Sequence, residues 1–160
     1  MPTGSSSIEI AASSSVVFDL IHDYDRRLEW DPFLRSAELL HGSTKAARGV
    51  TSRCAARYLA GGMAMKTEYV SFDRPRVAAV RLVRGPWCFA SFAATIRHAE
   101  VSADHSRVAY NYNFSTYPSW LSFLLDPIIA RVFHRETAAR LKALKKFVES
   151  ANTALSANPR

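Results

Sequence analysis

Only two cysteines occur in 160 residues, and Cys54 and Cys88 share neither a CxxC spacing nor a nearby histidine pair. A disulfide framework and a metal site are both disfavoured, and the two side chains read as small buried apolar residues within strand-like stretches. No metal or cofactor is expected. The chain also lacks a GxSxG elbow, a Walker loop, a GxGxxG turn, an HExxH pair and DxD-type patterns, which removes the most recognisable hydrolase, kinase, dehydrogenase and metalloprotease readings. No segment approaches the roughly 18 uninterrupted apolar residues of a membrane span. Met1 to Ser7 has neither the charged nor the apolar part of a secretory signal, so a soluble, cytoplasmic protein is expected. Acidic residues are the minority: 14 Asp and Glu against 21 Lys and Arg leave a net charge of +7. The basic residues are dispersed, without zinc-finger spacing or an aromatic RNA-binding motif, and a solvated basic surface is expected rather than a specific nucleic-acid site.

What is present is order in the patterning. With 48% hydrophobic residues the chain suits one domain, expected over residues 1–150 with a polar tail over 151–160. Ile8 and Ile10 alternate with polar neighbours and predict a strand from Ser6 to Ala12. Ser13 to Ser15 supply an N-cap for a helix carrying Val16, Val17, Phe18, Leu20 and Ile21. A second short helix through Leu28 and Trp30 should stop before Pro32, because the residue preceding proline is pushed out of the helical region. A strand through Ala37, Leu39 and Leu40 follows, and then alternating segments run to Tyr117. From Val50 to Tyr58 the even positions face inward. If Gly61-Gly62 is a two-residue hairpin loop, Ala60 pairs with Met63, Tyr58 with Met65 and Tyr69 with Cys54, which puts Met63, Met65, Thr67 and Tyr69 on the same inner face. Arg57 would then oppose Lys66, a like-charge pair. The strands from Val77 to Val83 and from Trp87 to Val101 are apolar on both faces, and alternation leaves their inner face open. The strand Val108 to Thr116 directs Tyr110, Tyr112 and Phe114 inward. Asp126 can cap a helix starting at Pro127 and running to Ser150, with Ile128, Ile129, Val132, Phe133, Leu141, Leu144, Phe147 and Val148 on its apolar side.

A wide antiparallel sheet followed by one long amphipathic helix buries both apolar faces by curling around the helix. The space between them is a candidate cavity. Its expected ligand-binding residues are Trp30, Tyr58, Met65, Tyr69, Arg97, Tyr110, Tyr112, Ile129 and Phe133. Several inward tyrosine hydroxyls need partners that a wet or ligand-filled cavity supplies, and methionine adapts to irregular guests. If the last hairpin pairs Val101 with Val108, Arg97 lies across from Tyr112 on the inner face, where an anionic head group would answer its charge. Core packing is the plainer reading of each tyrosine singly. Asp19, Glu29 and Asp31 fall near the predicted rim, where capping and surface roles compete with general acid or base work. His22, His41, His98, His105 and His134 show no partner spacing; His134 can meet a ligand beside Phe133, and a helix-side surface position is its plainer reading.

The order strand, two helices, six strands and long helix resembles the helix-grip fold of the START-like, or SRPBCC, superfamily over nearly the whole chain. Three stretches carry the resemblance: Ile8 to Ile21 with its Val17-Phe18-Asp19-Leu20-Ile21 run, Tyr24 to Phe33 with Trp30-Asp31-Pro32-Phe33, and Ala139 to Glu149. An α+β fold with a curved seven-stranded antiparallel sheet around the terminal helix is thereby implied. Within the superfamily the chain looks most similar to the polyketide cyclase/dehydrase and lipid-transport group. That resemblance implies a hydrophobic or aromatic small molecule as partner, held with or without ring closure or dehydration of a bound polyketide, and fixes no catalytic residues. A third expectation combines the +7 charge with Trp120 to Leu125 as a peripheral surface for anionic membrane or a ribosomal partner, as quinone-binding or ribosome-associated members of the superfamily would use.

Overall fold

In this computed structural model, which describes residues 1–58 and 61–157, strand β1 (Thr3–Ile10) is followed by helices α1 (Ser14–His22) and α2 (Arg27–Trp30). Strands β2 (Leu34–Leu39), β3 (Thr51–Ala56), β4 (Ala64–Asp73), β5 (Val77–Arg84), β6 (Phe89–Ser102) and β7 (His105–Thr116) come next, then helix α3 (Ser122–Ser156). All seven strands form one antiparallel sheet in the order β1-β7-β6-β5-β4-β3-β2. The sheet is a half-barrel curved around α3, the helix-grip architecture.

Strand β1 begins earlier than alternation suggests, because the serine-rich start gains its order from the partner strand: Thr3 to Ser7 pair with Asn113 to Ala109 of β7. Gly4 faces Tyr112 there, and a Cβ at Gly4 would run into the Tyr112 ring and hydroxyl. At the start of α1 the Ser13 side chain makes no capping bond. Instead the Ser14 amide and hydroxyl both donate to Glu100 Oε1 of β6, at 3.0 and 2.7 Å, so a carboxylate from the sheet meets the positive helix end.

The β3–β4 hairpin is four residues out of the expected register: Met65 faces Cys54, not Tyr58, and the Ala56 amide bonds the Met63 carbonyl. The loop is therefore longer than Gly61-Gly62 alone, and the expected pairing of Ala60 lies outside the described residues. An even slip keeps every side chain on its face, so Met63 and Met65 still point inward. Tyr69 also stays inward, yet it lies beyond the end of β3, with its amide bonding the Val50 carbonyl. Arg53, not Arg57, opposes Lys66, and Glu38 of β2 relieves it with an ion pair to Arg53 at 3.2 Å.

The β6–β7 hairpin slips by an odd number. Ser102 pairs with His105 across a tight turn, a bulge falls between Glu100 and Ser102, and Val108 then faces His98, where Val101 was expected. That slip reverses β6, which turns Phe92, Ala94 and His98 to the buried side and leaves Arg97 exposed between Val77 and Ala109.

Helix α3 is longer than expected at both ends, about 52 Å at ~1.5 Å per residue over its 35 residues. Asp126 does not cap it; its carboxylate accepts from Thr116 Oγ1 at 2.7 Å. Pro127 lies inside the helix, near enough to its start that the one backbone bond it forfeits falls at the exposed Phe123 turn. The helix also extends past Ser150 through residues expected as a tail, where Asn152 donates to the Ala11 carbonyl at 2.8 Å. The two halves of α3 do different jobs. Leu141, Leu144 and Val148 pack into a core with Ile10, Val17, Ile21 and Val108, whereas Ile128 and Val132 remain largely exposed.

Candidate functional site

The second half of α3 packs directly into the core, whereas the first half meets the sheet through the aromatic layer around Phe133, and beside that layer lies a cavity of about 530 Å³. Met65, Tyr69, Tyr110, Ile129 and Phe133 all stand in its wall. Phe133 is the centre of the apolar side, stacked on Phe92 and Phe114 with ring centroids 5.5 and 5.8 Å away. Tyr112 lies on the concave face but beneath this layer, 5.4 Å from the Phe133 ring, with its hydroxyl donating to the Ala130 carbonyl at 3.4 Å. Its partner is protein, not a guest.

The other three expected residues lie elsewhere. Trp30 is buried under the Arg27 guanidinium, 4.8 Å from its ring, and walls a side void of about 20 Å³ instead of the main cavity. Tyr58 is 79% exposed and lies outside the wall, covered by Arg35 at 4.8 Å, because β3 ends at Ala56 and alternation no longer governs where it points. Arg97 is on the convex face for the register reason given above. Of the carboxylates expected at the rim, Asp19 pairs with Arg74 on the surface and Glu29 with Arg26. Among the described residues no group of three or more His, Cys, Asp or Glu side chains is placed to hold a metal ion.

The charge that Arg97 was expected to bring comes from other residues. Asp31 is fully buried, and its Oδ2 accepts from Arg27 Nε at 3.1 Å and from Arg140 Nε and Nη2 at 3.1 and 2.8 Å, while Oδ1 accepts from the Phe33 amide at 3.2 Å. Burial alone would raise the Asp31 pKa, but Arg140 and Arg27 outweigh it and hold the carboxyl below the usual range. Burial likewise opposes the charge on both arginines, and Asp31 reverses that effect, so both stay protonated. Two cations thus share one anion at the inner end of the cavity.

Around them stand Tyr69 and Tyr110, both expected from strand alternation, together with Tyr24 and His22, which the sequence did not assign to the cavity. Tyr24 and Tyr69 hydroxyls share a hydrogen bond of 3.0 Å, and burial raises both pKa values, so both remain protonated donors. Burial also raises the Tyr110 phenol, whose hydroxyl has no partner among the described residues. His22 lines the wall with both ring nitrogens unpartnered; burial, then the charge on Arg27, pulls its pKa down to about 3. Helical spacing held some of this signal. Arg27 and Asp31 are four apart, Phe18 and His22 are four apart, and Thr137 and Arg140 continue the inward face from Phe133 to Leu144.

Solved structures of similar shape support the fold. The XoxI protein of Bacillus cereus is 21% identical over 91% of this chain and 94% of its own, with a TM-score of 0.73. A START superfamily protein from Mycobacterium smegmatis is 14% identical over 93% of this chain and 98% of its own, with a TM-score of 0.77. The Zhui aromatase/cyclase from a Streptomyces species is 16% identical over 92% of this chain and 93% of its own, with a TM-score of 0.75. No curated protein sequence matches the chain. Residues 1–149 match the family described as polyketide cyclase/dehydrase and lipid transport, and the chain belongs to that family.

Proposed function

We propose that this protein binds a hydrophobic or aromatic small molecule between the concave sheet and the first half of α3. The observation that carries this is the apolar cavity of about 530 Å³, within the range of roughly 300–1,000 Å³ common for small-molecule sites. Phe133, Ile129 and Met65 offer the guest apolar area, and the hydroxyls at the far end offer orientation. Native mass spectrometry of protein purified from its own host, together with titration of lipids and fluorescent apolar probes, tests it. A co-purifying apolar mass and saturable probe uptake are expected; no uptake of any apolar probe refutes it.

A cyclase or dehydratase acting on a bound polyketide is the second reading, favoured by Tyr24, Tyr69, Tyr110 and His22 converging on one wall. Protonated phenols aimed at a carbonyl stabilise a developing enolate without a nucleophilic triad. Tyr69→Phe and Tyr110→Phe should then lower turnover, whereas unchanged turnover in both removes these roles. Polyketide synthase genes beside this one would favour the reading.

We propose as a third reading a peripheral contact with anionic membrane near the cavity. Trp87, Trp120 and Phe123 are 75%, 73% and 71% exposed, and Trp87 also belongs to the cavity wall. On α3, Leu124, Ile128 and Val132 are exposed, the last two at the edge of the cavity, and Arg131 and Arg135 on the same turns are exposed as well. Apolar side chains next to cations suit an interface of acidic head groups. Co-sedimentation with phosphatidylglycerol vesicles at low salt, weakened in Trp120→Ala and Phe123→Ala, is expected. Equal binding to phosphatidylcholine vesicles, or none to either, argues against it.

A further inference from the structure

We propose that the guest carries a carboxylate, and that this group docks at the inner end of the cavity against Arg27, Arg140 and Tyr110. The proposal deepens the small-molecule reading above and rests on it. Three observations carry it together.

The first is charge. Asp31 is the sole carboxylate paired with Arg27 or Arg140 among the described residues, so the buried cluster keeps one positive charge in excess. Their side chains are only 9% and 18% exposed, and such a charge held away from water calls for a counter-ion. Among the described residues Glu136 is the carboxylate that lines the cavity; it lies one helical turn nearer the start of α3 than Arg140 and forms no ion pair with either arginine.

The second is the geometry of unused donors. Arg27 spends Nε on Asp31 and Nη1 on the Ile21 carbonyl, and Arg140 spends Nε and Nη2 on Asp31. Arg27 Nη2 and Arg140 Nη1 remain without protein partners among the described residues. Neither is sealed in the interior, and both side chains line the cavity. A carboxylate has two oxygens for planar guanidinium donors, and the free Tyr110 hydroxyl adds a third donor.

The third is placement. Arg27, Ile96, Tyr110, Thr137 and Arg140 form the partition between the main cavity and the side void of about 20 Å³. The aromatic layer around Phe133 lies toward the other side. An amphipathic acid therefore enters with its apolar body on Phe133 and its head on the arginines.

Dodecanoate and methyl dodecanoate, which share a chain and differ in head-group charge, test this by displacement of the neutral probe N-phenyl-1-naphthylamine. The acid should bind about tenfold to a hundredfold tighter than the ester, the range for hydrogen bonds to charged groups. Arg140→Met should bring the acid close to the ester, and it leaves Asp31 paired with Arg27, so the fold keeps a balanced pair. Tyr110→Phe, which removes no charge, should cost the acid about two- to tenfold and the ester nothing. Glu136→Gln, by removing a nearby negative charge, should tighten the acid. Equal binding of acid and ester, unmoved by these variants, overturns the carboxylate proposal and leaves the cavity reading intact. Probe, acid and ester all failing to bind overturns both.

Discussion

Replacing Asp31 with Asn keeps the shape of the side chain and removes the one negative charge that Arg27 and Arg140 share. The variant leaves two guanidinium groups facing one another at the inner end of the cavity, with no counter-ion in direct contact. Breaking a buried pair by removing one partner costs about 3–5 kcal/mol, far more than the pair contributes relative to an apolar replacement. For a chain of this size that loss should lower the melting temperature by roughly 6–20 °C. Arg140→Met should cost less, because Asp31 keeps Arg27. Urea unfolding at pH 7 measures both. The pH dependence supplies a second reading. The folded-state pKa of Asp31 is depressed, so the unfolded chain binds the proton first as pH falls. The stabilisation is complete above the ordinary carboxyl pKa of about 3.9 and is lost as pH drops through the lower folded value. Wild type should show this acid step and Asp31→Asn should lack it. A cost below about 1 kcal/mol for Asp31→Asn, with an unchanged acid limb, would refute the view that one carboxylate holds two cations inside the fold.

The histidines should dominate stability at milder pH. Burial lowers His22 to about 3, with Arg27 adding to the effect, and burial lowers His98 to about 4, so below the ordinary value near 6.5 the unfolded chain gains protons that the folded chain refuses. Each should cost about 2 kcal/mol between pH 6.5 and 5, and the His22→Phe and His98→Phe variants should flatten that slope in denaturant titrations. At the sheet edge, Gly4→Ala should destabilise by about 1–3 kcal/mol, since its Cβ meets the Tyr112 ring. In the double variant with Tyr112→Ala most of that added cost should disappear, and full additivity would show that the clash is not the cause.

Alternation in the sequence carried the fold because a side chain's face depends only on whether a register slip is even or odd. The β3–β4 ladder slipped by four and changed nothing about Met65, which still faces the cavity. The β6–β7 ladder slipped by three and moved Arg97 to the opposite side of the sheet. No local pattern could have corrected the second slip, since β5 and β6 are apolar on both faces and the bulge after Glu100 is set by the tight turn at Ser102 and His105. Tyr58 failed for a different reason: strand β3 ends at Ala56, and past a strand's end periodicity says nothing about direction.

The polar end of the cavity was hidden because its partners are distant in sequence. Arg27 opens α2 and Asp31 follows its last residue, but the decisive contact joins Asp31 to Arg140, 109 residues away. On a helical projection Arg140 falls on the inward face with Phe133, Thr137 and Leu144, away from Arg135 and Lys142, but nothing local shows which partner answers its charge. What distinguishes it is that α3 changes function along its length. Around Leu144 the helix is locked to β1 and β7, whereas around Phe133 it meets the sheet through one aromatic layer beside the cavity, and Arg140 lies at the junction. A long polar side chain at that point can neither reach water as the outer cations do nor pack as the core does, so its charge is answered from α2. The interior cation that alternation placed on β6 belongs instead to the two helices, at the one level of α3 where core gives way to cavity.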